Sequence, residues 1–264
     1  MLRPRIIPCL LLHEGGLVKT VKFKDHKYVG DPINAIKIFN EKESDELIVL
    51  DIDATVNGTE PDYKQISYFA AECRMPFCYG GGVRTARQAK KIIALGVEKV
   101  AISASALERP QLISEIAMEI GNQSVVVVLD VKSRLFGAGY DVWTHNATRN
   151  TTRNIFDVTA EVEFHGAGEI VVNSIDNDGR MQGYDIALAG NLQKSVRIPI
   201  TVLGGAGSLA DMTKVVKSCG VVGVAAGSMF VFKGPYRAVL INYPEARQKD
   251  ELAQLAIQTG RSLK

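Results

Sequence analysis

The 264-residue chain has little of what marks several specialised classes of protein. It has a single tryptophan, four cysteines without a Cys-x-x-Cys or Cys/His ligand spacing, and no apolar run near the roughly eighteen residues that span a membrane. Its 31 Lys and Arg residues nearly balance its 29 Asp and Glu residues, so no general attraction to nucleic acid or to a membrane surface is expected. These features predict a cytoplasmic globular protein with reduced thiols, without a metal site and without a cofactor.

The apolar pattern indicates an α/β protein with a parallel sheet. Apolar residues make up 46% of the chain and charged residues 23%, which excludes a disordered chain and a disulfide-stapled miniprotein. Eight short runs are continuously apolar rather than alternating, as expected for strands that are covered on both faces. They span residues 6–12, 47–52, 76–79, 99–103, 124–130, 169–174, 199–205 and 223–228.

Segments with helical apolar spacing lie between these runs, among them residues 59–74, where the helix is predicted to begin at Thr59. Many begin with a capping residue or a first-turn proline, as at Asp31-Pro32, Thr85 and Ser208. Eight β–α units in a single domain, residues 1–264, predict a (β/α)8 TIM barrel rather than a six-stranded doubly wound sheet. The segment 245–264 has helical spacing and is predicted to form a C-terminal helical extension of unassigned function.

The two halves of the sequence resemble each other. LIVLDIDAT at 47–55 parallels EIVVNSIDNDG at 169–179, and YGGGVRT at 79–85 parallels LGGAGSLAD at 203–211. These matches predict an internal duplication of a half-barrel. Such a barrel has two similar sites on opposite sides of its C-terminal rim, where TIM-barrel active sites lie, and would suit a ligand with two similar ends.

Small-residue turns after three predicted strands are candidate phosphate sites. Backbone N–H groups exposed at a strand-to-helix turn bind anions without needing a lysine. The alternative is that the glycines only permit tight turns, although two matched glycine loops favour a phosphate ligand. The candidates are Gly81 and Gly82 after the third strand, Gly204 and Gly205 after the seventh, and Gly227 and Ser228 after the eighth.

Acidic residues are predicted at the same rim. Asp130 ends the apolar run VVVVL, so partial desolvation should raise the pKa of its carboxyl toward the range useful for proton transfer. We therefore predict that Asp130 is catalytic, with a loop-capping role as the alternative. Asp51, Asp176 and Asp178 are predicted at the same rim, on the second and sixth strands, where some of them are expected to orient loops.

Four charged residues are predicted at the opposite end, each at the first residue of a strand: Arg5, Glu46, Lys99 and Glu169. Two cations and two anions at one level could form a closed ring of salt bridges. Charge at the bottom of a TIM barrel ordinarily serves stability. The functional alternative is a plug at the mouth of the barrel axis.

Several motifs together resemble a known family. RIIPCL at 5–10, YGGGVRT, SVVVVLD at 124–130, GAGEIVVNSIDNDG at 166–179 and GGAGS resemble the cyclase subunit of imidazole glycerol phosphate synthase, HisF. The resemblance runs from residue 3 to about residue 243 and implies a TIM barrel paired with a glutaminase at its bottom face. Ammonia would pass a gate formed by Arg5, Glu46, Lys99 and Glu169, follow the barrel axis, and attack a ribonucleotide with a phosphate at each end.

The resemblance also implies roles for individual residues. Asp130 matches one of two catalytic aspartates, and Lys19, Asp51 and Asp178 match polar residues of the active-site rim. The glycine loops match two phosphate sites, and Ser103 lies at the first of them, where Ser103-Ala104 replaces an Asn-Thr pair. Leu11 occupies the position of the other catalytic aspartate, and leucine cannot transfer a proton.

A retained gate together with the loss of one catalytic aspartate resembles a branch of the family that is encoded with surface-polysaccharide genes. In that branch the barrel and its glutaminase supply ammonia to a third protein that amidates a nucleotide sugar. We predict this function, with a glutaminase, a phosphorylated small molecule and a nucleotide-sugar-amidating protein as partners, and with no nucleic acid or membrane. An active cyclase of histidine biosynthesis and a non-catalytic activator of a glutaminase are the alternatives.

Overall fold

The computed structural model describes residues 3–134 and 137–262. Its strands, in chain order, are β1 (Arg5–His13), β2 (Gly16–Val21), β3 (Lys24–Gly30), β4 (Leu47–Asp51), β5 (Phe77–Gly80), β6 (Lys99–Ile102), β7 (Val125–Ser133), β8 (Tyr140–Thr144), β9 (Arg149–Asn154), β10 (Glu169–Ser174), β11 (Ile200–Leu203), β12 (Gly223–Ala226), β13 (Phe232–Lys233) and β14 (Ala238–Val239).

The helices alternate with most of these strands. They are α1 (Pro32–Glu41), α2 (Ala54–Asn57), α3 (Tyr63–Glu72), α4 (Ala86–Ala94), α5 (Ala104–Glu108), α6 (Gln111–Ile120), α7 (Ile155–Phe164), α8 (Ile186–Ser195), α9 (Leu209–Cys219), α10 (Ser228–Val231) and α11 (Ala246–Ser262). No helix within the described ranges is long and apolar enough to cross a membrane.

Parallel strands close a barrel in the order β1, β4, β5, β6, β7, β10, β11 and β12, and β12 pairs back to β1. The predicted (β/α)8 TIM barrel is confirmed, and each predicted apolar run overlaps one of its strands. Asp31 and Thr85 cap helices as expected, because their side chains accept hydrogen bonds from Asn34 N (2.8 Å) and Gln88 N (3.2 Å).

Two antiparallel hairpins depart from the simple β–α alternation. β2 and β3 follow β1, and β8 and β9 follow β7, so each half of the barrel has a hairpin after its first strand. Neither hairpin is predicted by the apolar pattern, because β3 (KDHKYVG) and β9 (RNTTRN) contain no apolar run. Their equivalent positions accord with the duplication of a half-barrel.

The C-terminal part and one helix start also differ in detail from the prediction. α11 occupies residues 246–262 of the predicted extension, and residues 263–264 lie outside the described residues. The helix predicted from Thr59 begins at Tyr63 instead, because the carboxylate of Asp62 accepts hydrogen bonds from the N–H groups of Lys64 and Gln65.

The barrel interior changes in character along its axis. Alternate residues of a strand face the same side, so Glu169, Val171 and Asn173 of β10 share the inward face. The inner apolar cluster comprises Ile7, Cys9, Ile48, Cys78, Ala101, Val126, Val128, Val171, Leu203 and Ala225. This cluster separates the charged residues at the bottom from the polar residues at the rim.

Candidate active site

A cavity of about 440 Å³ lies at the C-terminal ends of the barrel strands. Most residues that the sequence predicted for the rim line this cavity: Lys19, Asp51, Gly81, Gly82, Ser103, Asp130, Asp178, Gly227 and Ser228. Leu11 also lines it. The fold therefore brings the candidate catalytic residue, the candidate rim residues and two of the three small-residue turns to one site.

Gly204 and Gly205 are not among the residues that line the cavity. Both are buried, and the carbonyl of Gly205 accepts a hydrogen bond from the N–H of Gly183 at 2.8 Å. A Cβ on Gly205 would overlap the carbonyl oxygen of Gly183. These two glycines therefore allow the segment between β10 and α8 to pack closely over the end of β11.

Asp130 lies three residues before the end of β7, directly opposite Asn173 of β10. The Asn173 Nδ2 donates a hydrogen bond to Oδ1 of Asp130 at 3.0 Å. Burial raises the pKa of Asp130 to about 7, although the Asn173 hydrogen bond opposes this rise and the charge of Asp178 adds to it. A carboxyl with such a pKa can give and accept a proton near neutral pH.

Lys19 bonds the first hairpin to β1, and Asp178 bonds it to the segment after β10. Lys19 is buried, its Nζ donates to the Cys9 carbonyl at 2.6 Å, and burial lowers its pKa. Asp178 accepts from Thr20 Oγ1 at 2.7 Å and from Phe23 N at 3.2 Å. Burial raises the pKa of Asp178, although both hydrogen bonds oppose this rise.

Lys19 also lies against the turn that follows β12. A Cβ added to Gly227 would come within 2.8 Å of Lys19 Nζ. The ammonium therefore lies beside the small-residue turn of Gly227 and Ser228, where it could neutralise an anion. This arrangement suits a phosphate group at that side of the cavity.

Asp51 orients a loop, as expected for some of the rim aspartates. Its Oδ1 accepts hydrogen bonds from Asp53 N at 2.9 Å and from Ala54 N at 3.0 Å, which fixes the start of α2. Gly81, at φ +126°, leaves room for Asp51, because a Cβ there would lie 2.6 Å from Asp51 Cβ. Asp176 likewise holds a loop, through Ser133 N at 2.9 Å.

Several cavity residues escaped the sequence analysis. Asn173 lies on the inward face of β10, and its position could have been found by counting alternate residues from Glu169. His145 and Asn146 reach the cavity from the turn between β8 and β9, where Asn146 Nδ2 donates to the Ile52 carbonyl at 2.8 Å. The Asn-containing turn sequence THNAT was the available indication of a hairpin.

The four charged residues at the bottom form a closed ring. Arg5 pairs with Glu46 and donates to Glu169 Oε1 at 2.7 Å. Lys99 Nζ lies 2.8 Å from Glu46 and 2.9 Å from Glu169. Three members begin their strands, and Glu46 lies one residue before β4. The predicted ring of salt bridges is therefore present in the structure.

Three members of the ring, Arg5, Lys99 and Glu169, are held in the ionised state. Burial lowers the pKa values of Arg5 and Lys99, but Glu169 and Glu46 more than offset this and raise them overall. Burial raises the pKa of Glu169, but Arg5, Lys99 and Thr201 lower it below its ordinary value overall. Thr201 Oγ1 donates to Glu169 at 2.6 Å, so each oxygen of this buried carboxylate has partners.

Comparison with known proteins gives consistent matches. A family model described as histidine biosynthesis protein matches residues 5–236. The chain is 54% identical to the "putative imidazole glycerol phosphate synthase subunit hisF3" of Vibrio vulnificus, over 97% of this chain and 98% of that protein. It is 52% identical to the similarly named hisF2 of Pseudomonas aeruginosa, over 95% of this chain and 99% of that protein. Identity to the imidazole glycerol phosphate synthase subunit HisF of Exiguobacterium sibiricum is 39%, over 81% of this chain and 85% of that protein.

A closed (β/α)8 barrel with a polar cavity at its C-terminal rim has the architecture of a TIM-barrel enzyme. The chain belongs to the histidine biosynthesis protein family and, within it, to the HisF-type cyclase subunits of imidazole glycerol phosphate synthase. The family resemblance predicted from the sequence motifs is confirmed.

Proposed function

We propose that this HisF-type subunit receives ammonia from a glutaminase at the bottom of its barrel and supplies it for the amidination of a nucleotide sugar in surface-polysaccharide synthesis. A third protein would carry out the amidination. The observation that carries the proposal is the combination of an intact bottom ring with Leu11 in the cavity, where the resemblance implies a second catalytic carboxylate. The intact ring supports the passage of ammonia, whereas cyclase chemistry by paired carboxylates lacks its second carboxylate.

The bottom ring suits a gate for a small uncharged molecule. Arg5 makes three hydrogen bonds to the two glutamates, whereas Lys99 makes two, one to each. Of the two cations, Lys99 can therefore leave with fewer bonds broken, and its flexible stem allows this movement. Above the ring, small inward residues such as Cys9, Cys78 and Ala101 favour a neutral molecule over a hydrated ion.

Cyclase chemistry by paired carboxylates is less well supported. Leu11 packs against the inner apolar cluster, and its side chain can neither accept nor donate a proton. His13 does not replace the carboxylate in the cavity lining, because its Nδ1 is engaged with Asp53 at 2.7 Å. The higher identity to hisF2 and hisF3 than to the HisF subunit of Exiguobacterium sibiricum also supports a specialised branch.

An active cyclase that makes imidazole glycerol phosphate and aminoimidazole-carboxamide ribotide is the second candidate. The retained Asp130, with a pKa of about 7, favours it because one acid–base group of suitable pKa remains in the cavity. The same carboxyl argues against a non-catalytic activator of a glutaminase, since packing alone does not require an acid at that position.

The first test is a spectrophotometric cyclase assay of the purified chain with the bisphosphorylated aminoimidazole-carboxamide ribonucleotide and excess ammonium salt. We expect turnover at least about 100-fold below that of a histidine-pathway cyclase, because one acid–base partner is missing. Leu11→Asp should raise turnover, and Leu11→Asn, of similar size but unable to transfer a proton, should not. Turnover comparable to a histidine-pathway enzyme, abolished by Asp130→Asn, would establish the active cyclase instead.

The gate is tested separately in a reconstituted system of this chain, a glutaminase and a nucleotide-sugar-amidating protein. Lys99→Glu should impair amidination driven by glutamine and spare amidination driven by added ammonium salt, because it places a third carboxylate in the ring. Lys90→Glu, at an exposed helix position, is the control. Unchanged glutamine-driven activity in Lys99→Glu would remove the gate from the proposal.

A further inference from the structure

Three segments at the rim carry an excess of positive charge. They are residues 22–28 of the first hairpin, Arg180 in the segment after β10, and residues 232–240, which include β13 and β14. We call this surface the cationic rim face. Its six cations outnumber one carboxylate, that of Asp25, which gives a formal charge of +5, whereas the whole chain has +2. The six are Lys22, Lys24, Lys27, Arg180, Lys233 and Arg237.

Hydrogen bonds and ring contacts join these segments into one surface. The first hairpin is bonded to the segment after β10 through Asp178. The guanidinium of Arg237 donates to the Gly179 carbonyl at 2.6 Å. It also lies 5.0 Å from the centre of the Phe232 ring, and Lys27 Nζ lies 4.9 Å from that centre. The hairpin and the segment 232–240 therefore meet over Phe232.

The cations of this face are not neutralised by the rest of the chain. Five of the six are exposed, and Arg237 is half-buried. None of them forms a salt bridge with a residue in the described ranges 3–134 and 137–262. Elsewhere, the exposed cations Lys90, Arg109 and Arg247 pair with glutamates. Like charges that are held together repel one another, so an anionic partner would be attracted to this face.

Large apolar side chains are exposed on the same face. Tyr236 is 95% exposed, Tyr28 66%, Leu240 53% and Val239 48%. These are four of the nine large apolar residues that are exposed in the described part of the chain. Exposed apolar residues with charged neighbours are typical of protein–protein interfaces, in which tyrosine often contributes strongly to binding. The composition of the face therefore suits an acidic protein better than a small anion.

The cationic rim face borders the mouth of the cavity. Phe23 and His26, which lie between its lysines along the first hairpin, line the cavity. Ammonia that leaves this mouth for water near neutral pH becomes largely protonated and loses its nucleophilic lone pair. A protein that uses the ammonia keeps it reactive by covering the mouth, and an acidic surface beside the mouth would match the cations.

We propose that the cationic rim face docks the nucleotide-sugar-amidating protein, through an acidic surface with apolar residues on that protein. The proposal rests on the proposed supply of ammonia and names the surface across which the ammonia is delivered. A second copy of this chain does not fit in a symmetric arrangement, because two such faces repel each other. The cations would attract the partner to the rim, and the exposed tyrosines would hold it there.

The first test measures binding of the purified amidating protein to the complex of this chain with a glutaminase. Lys24→Glu/Lys233→Glu should weaken binding by about tenfold or more at low salt, and sodium chloride should weaken wild-type binding. Lys64→Glu/Lys217→Glu makes the same charge change at exposed helix positions and is the matched control. Binding of the glutaminase at the bottom of the barrel should be equal in all these proteins, which shows that the variants are folded.

A second variant tests the apolar part of the face without a change in charge. Tyr236→Ser should weaken binding of the amidating protein by about tenfold, because an exposed tyrosine at an interface contributes strongly to affinity. Tyr68→Ser, at a position 56% exposed on α3, is the matched control and should leave binding unchanged. This variant also keeps the proposal testable if the charge-reversed protein does not fold.

Delivery across the face is tested with a scavenger of free ammonia. Glutamate dehydrogenase, with 2-oxoglutarate and NADH, consumes ammonium in solution during glutamine-driven amidination, at protein concentrations near the wild-type Kd. The wild type should keep most of its activity, whereas Lys24→Glu/Lys233→Glu should lose about tenfold because its ammonia escapes into solution. Equal sensitivity of the two proteins to the scavenger would overturn delivery across this face.

The outcomes separate this inference from the proposed function. If the wild type supplies ammonia but the amidating protein binds wild type, Lys24→Glu/Lys233→Glu and Tyr236→Ser equally, the docking face is overturned and the supply of ammonia stands. If binding requires the face but Lys99→Glu spares glutamine-driven amidination, the docking face stands and the gate does not. Binding of UDP-N-acetylglucosamine, or of vesicles of phosphatidylglycerol and phosphatidylcholine, that is lost in Lys24→Glu/Lys233→Glu while protein binding is unchanged would overturn the proposal and assign the face to that ligand.

Discussion

At the bottom of the barrel four charged side chains satisfy one another, whereas at the rim the carboxyl of Asp130 has one amide partner and Asn173 has an acceptor with none. The two ends are separated by the apolar cluster of the barrel interior. Paired charges of this kind stabilise a fixed arrangement, and unpaired polar groups in a cavity are available to a ligand. The comparison indicates that the bottom end is built for closure and the rim for binding.

The largest expected change in the free energy of unfolding follows from breaking the ion pairs at the bottom of the barrel. Arg5→Leu should lower the free energy of unfolding by about 4 kcal/mol, because it leaves two nearly buried glutamates, Glu46 and Glu169, to share Lys99. Chemical denaturation at neutral pH measures this loss. Arg109→Leu, which removes the exposed pair with Glu115, is the control and should leave the unfolding midpoint within error. Equal losses of unfolding free energy in both variants would contradict the distinction between the buried ring and an exposed ion pair.

A smaller change in the free energy of unfolding, of opposite sign, is expected when the rim residue Asp130 is replaced. Burial raises the pKa of Asp130 from its ordinary value of 3.8 to about 7, so the folded protein binds more protons than the unfolded chain between these values. The wild type therefore loses stability as the pH rises through this window, and the loss is complete above pH 7.

Asp130→Asn removes this loss and keeps an oxygen that can accept the Asn173 amide. We expect it to stabilise the protein above pH 7 by on the order of 2 kcal/mol, since solvent in the cavity screens part of the burial, and by much less near pH 4. Denaturation at both pH values measures the difference. Asp25→Asn, at an exposed position of β3 in the first hairpin, is the control. An equal gain at both pH values would mean that burial does not perturb Asp130.

The smallest expected effect concerns the hairpin that covers the rim. Thr20→Val removes the hydrogen bond from Thr20 Oγ1 to Asp178 and preserves side-chain shape, so it should cost about 1 kcal/mol. Amide hydrogen exchange at Phe23, which also donates to Asp178, should become faster than in wild type. Thr213→Val, in α9, serves as the control. Unchanged exchange at Phe23 would show that this contact does not hold the hairpin.

The barrel strands and their end residues were predictable because the information is local. Continuous apolar runs marked each strand, and Asp31 and Thr85 marked helix starts through short-range capping bonds. Asp130 was predicted at the rim because it ends such a run. Arg5, Lys99 and Glu169 were predicted at one level because each begins a strand of the same parallel barrel.

Other features could not be read from local patterns. The hairpin strands β3 and β9 are polar and form by pairing with preceding strands. Gly204 and Gly205 have the composition of an anion-binding loop, yet they pack beneath the segment after β10 and do not line the cavity. Asn173 stands within an apolar strand, and its importance appears only with Asp130 beside it.

The sequence by itself determined the barrel class, the strand and helix positions, and the placement of acidic and glycine residues at one end, because hydrophobic periodicity and capping act over a few residues. Tertiary structure alone decided that four charges from separate strands close a ring, that Asn173 donates to Asp130, and that two hairpins reach the cavity. These features depend on strand register and barrel closure, which bring together residues distant in sequence.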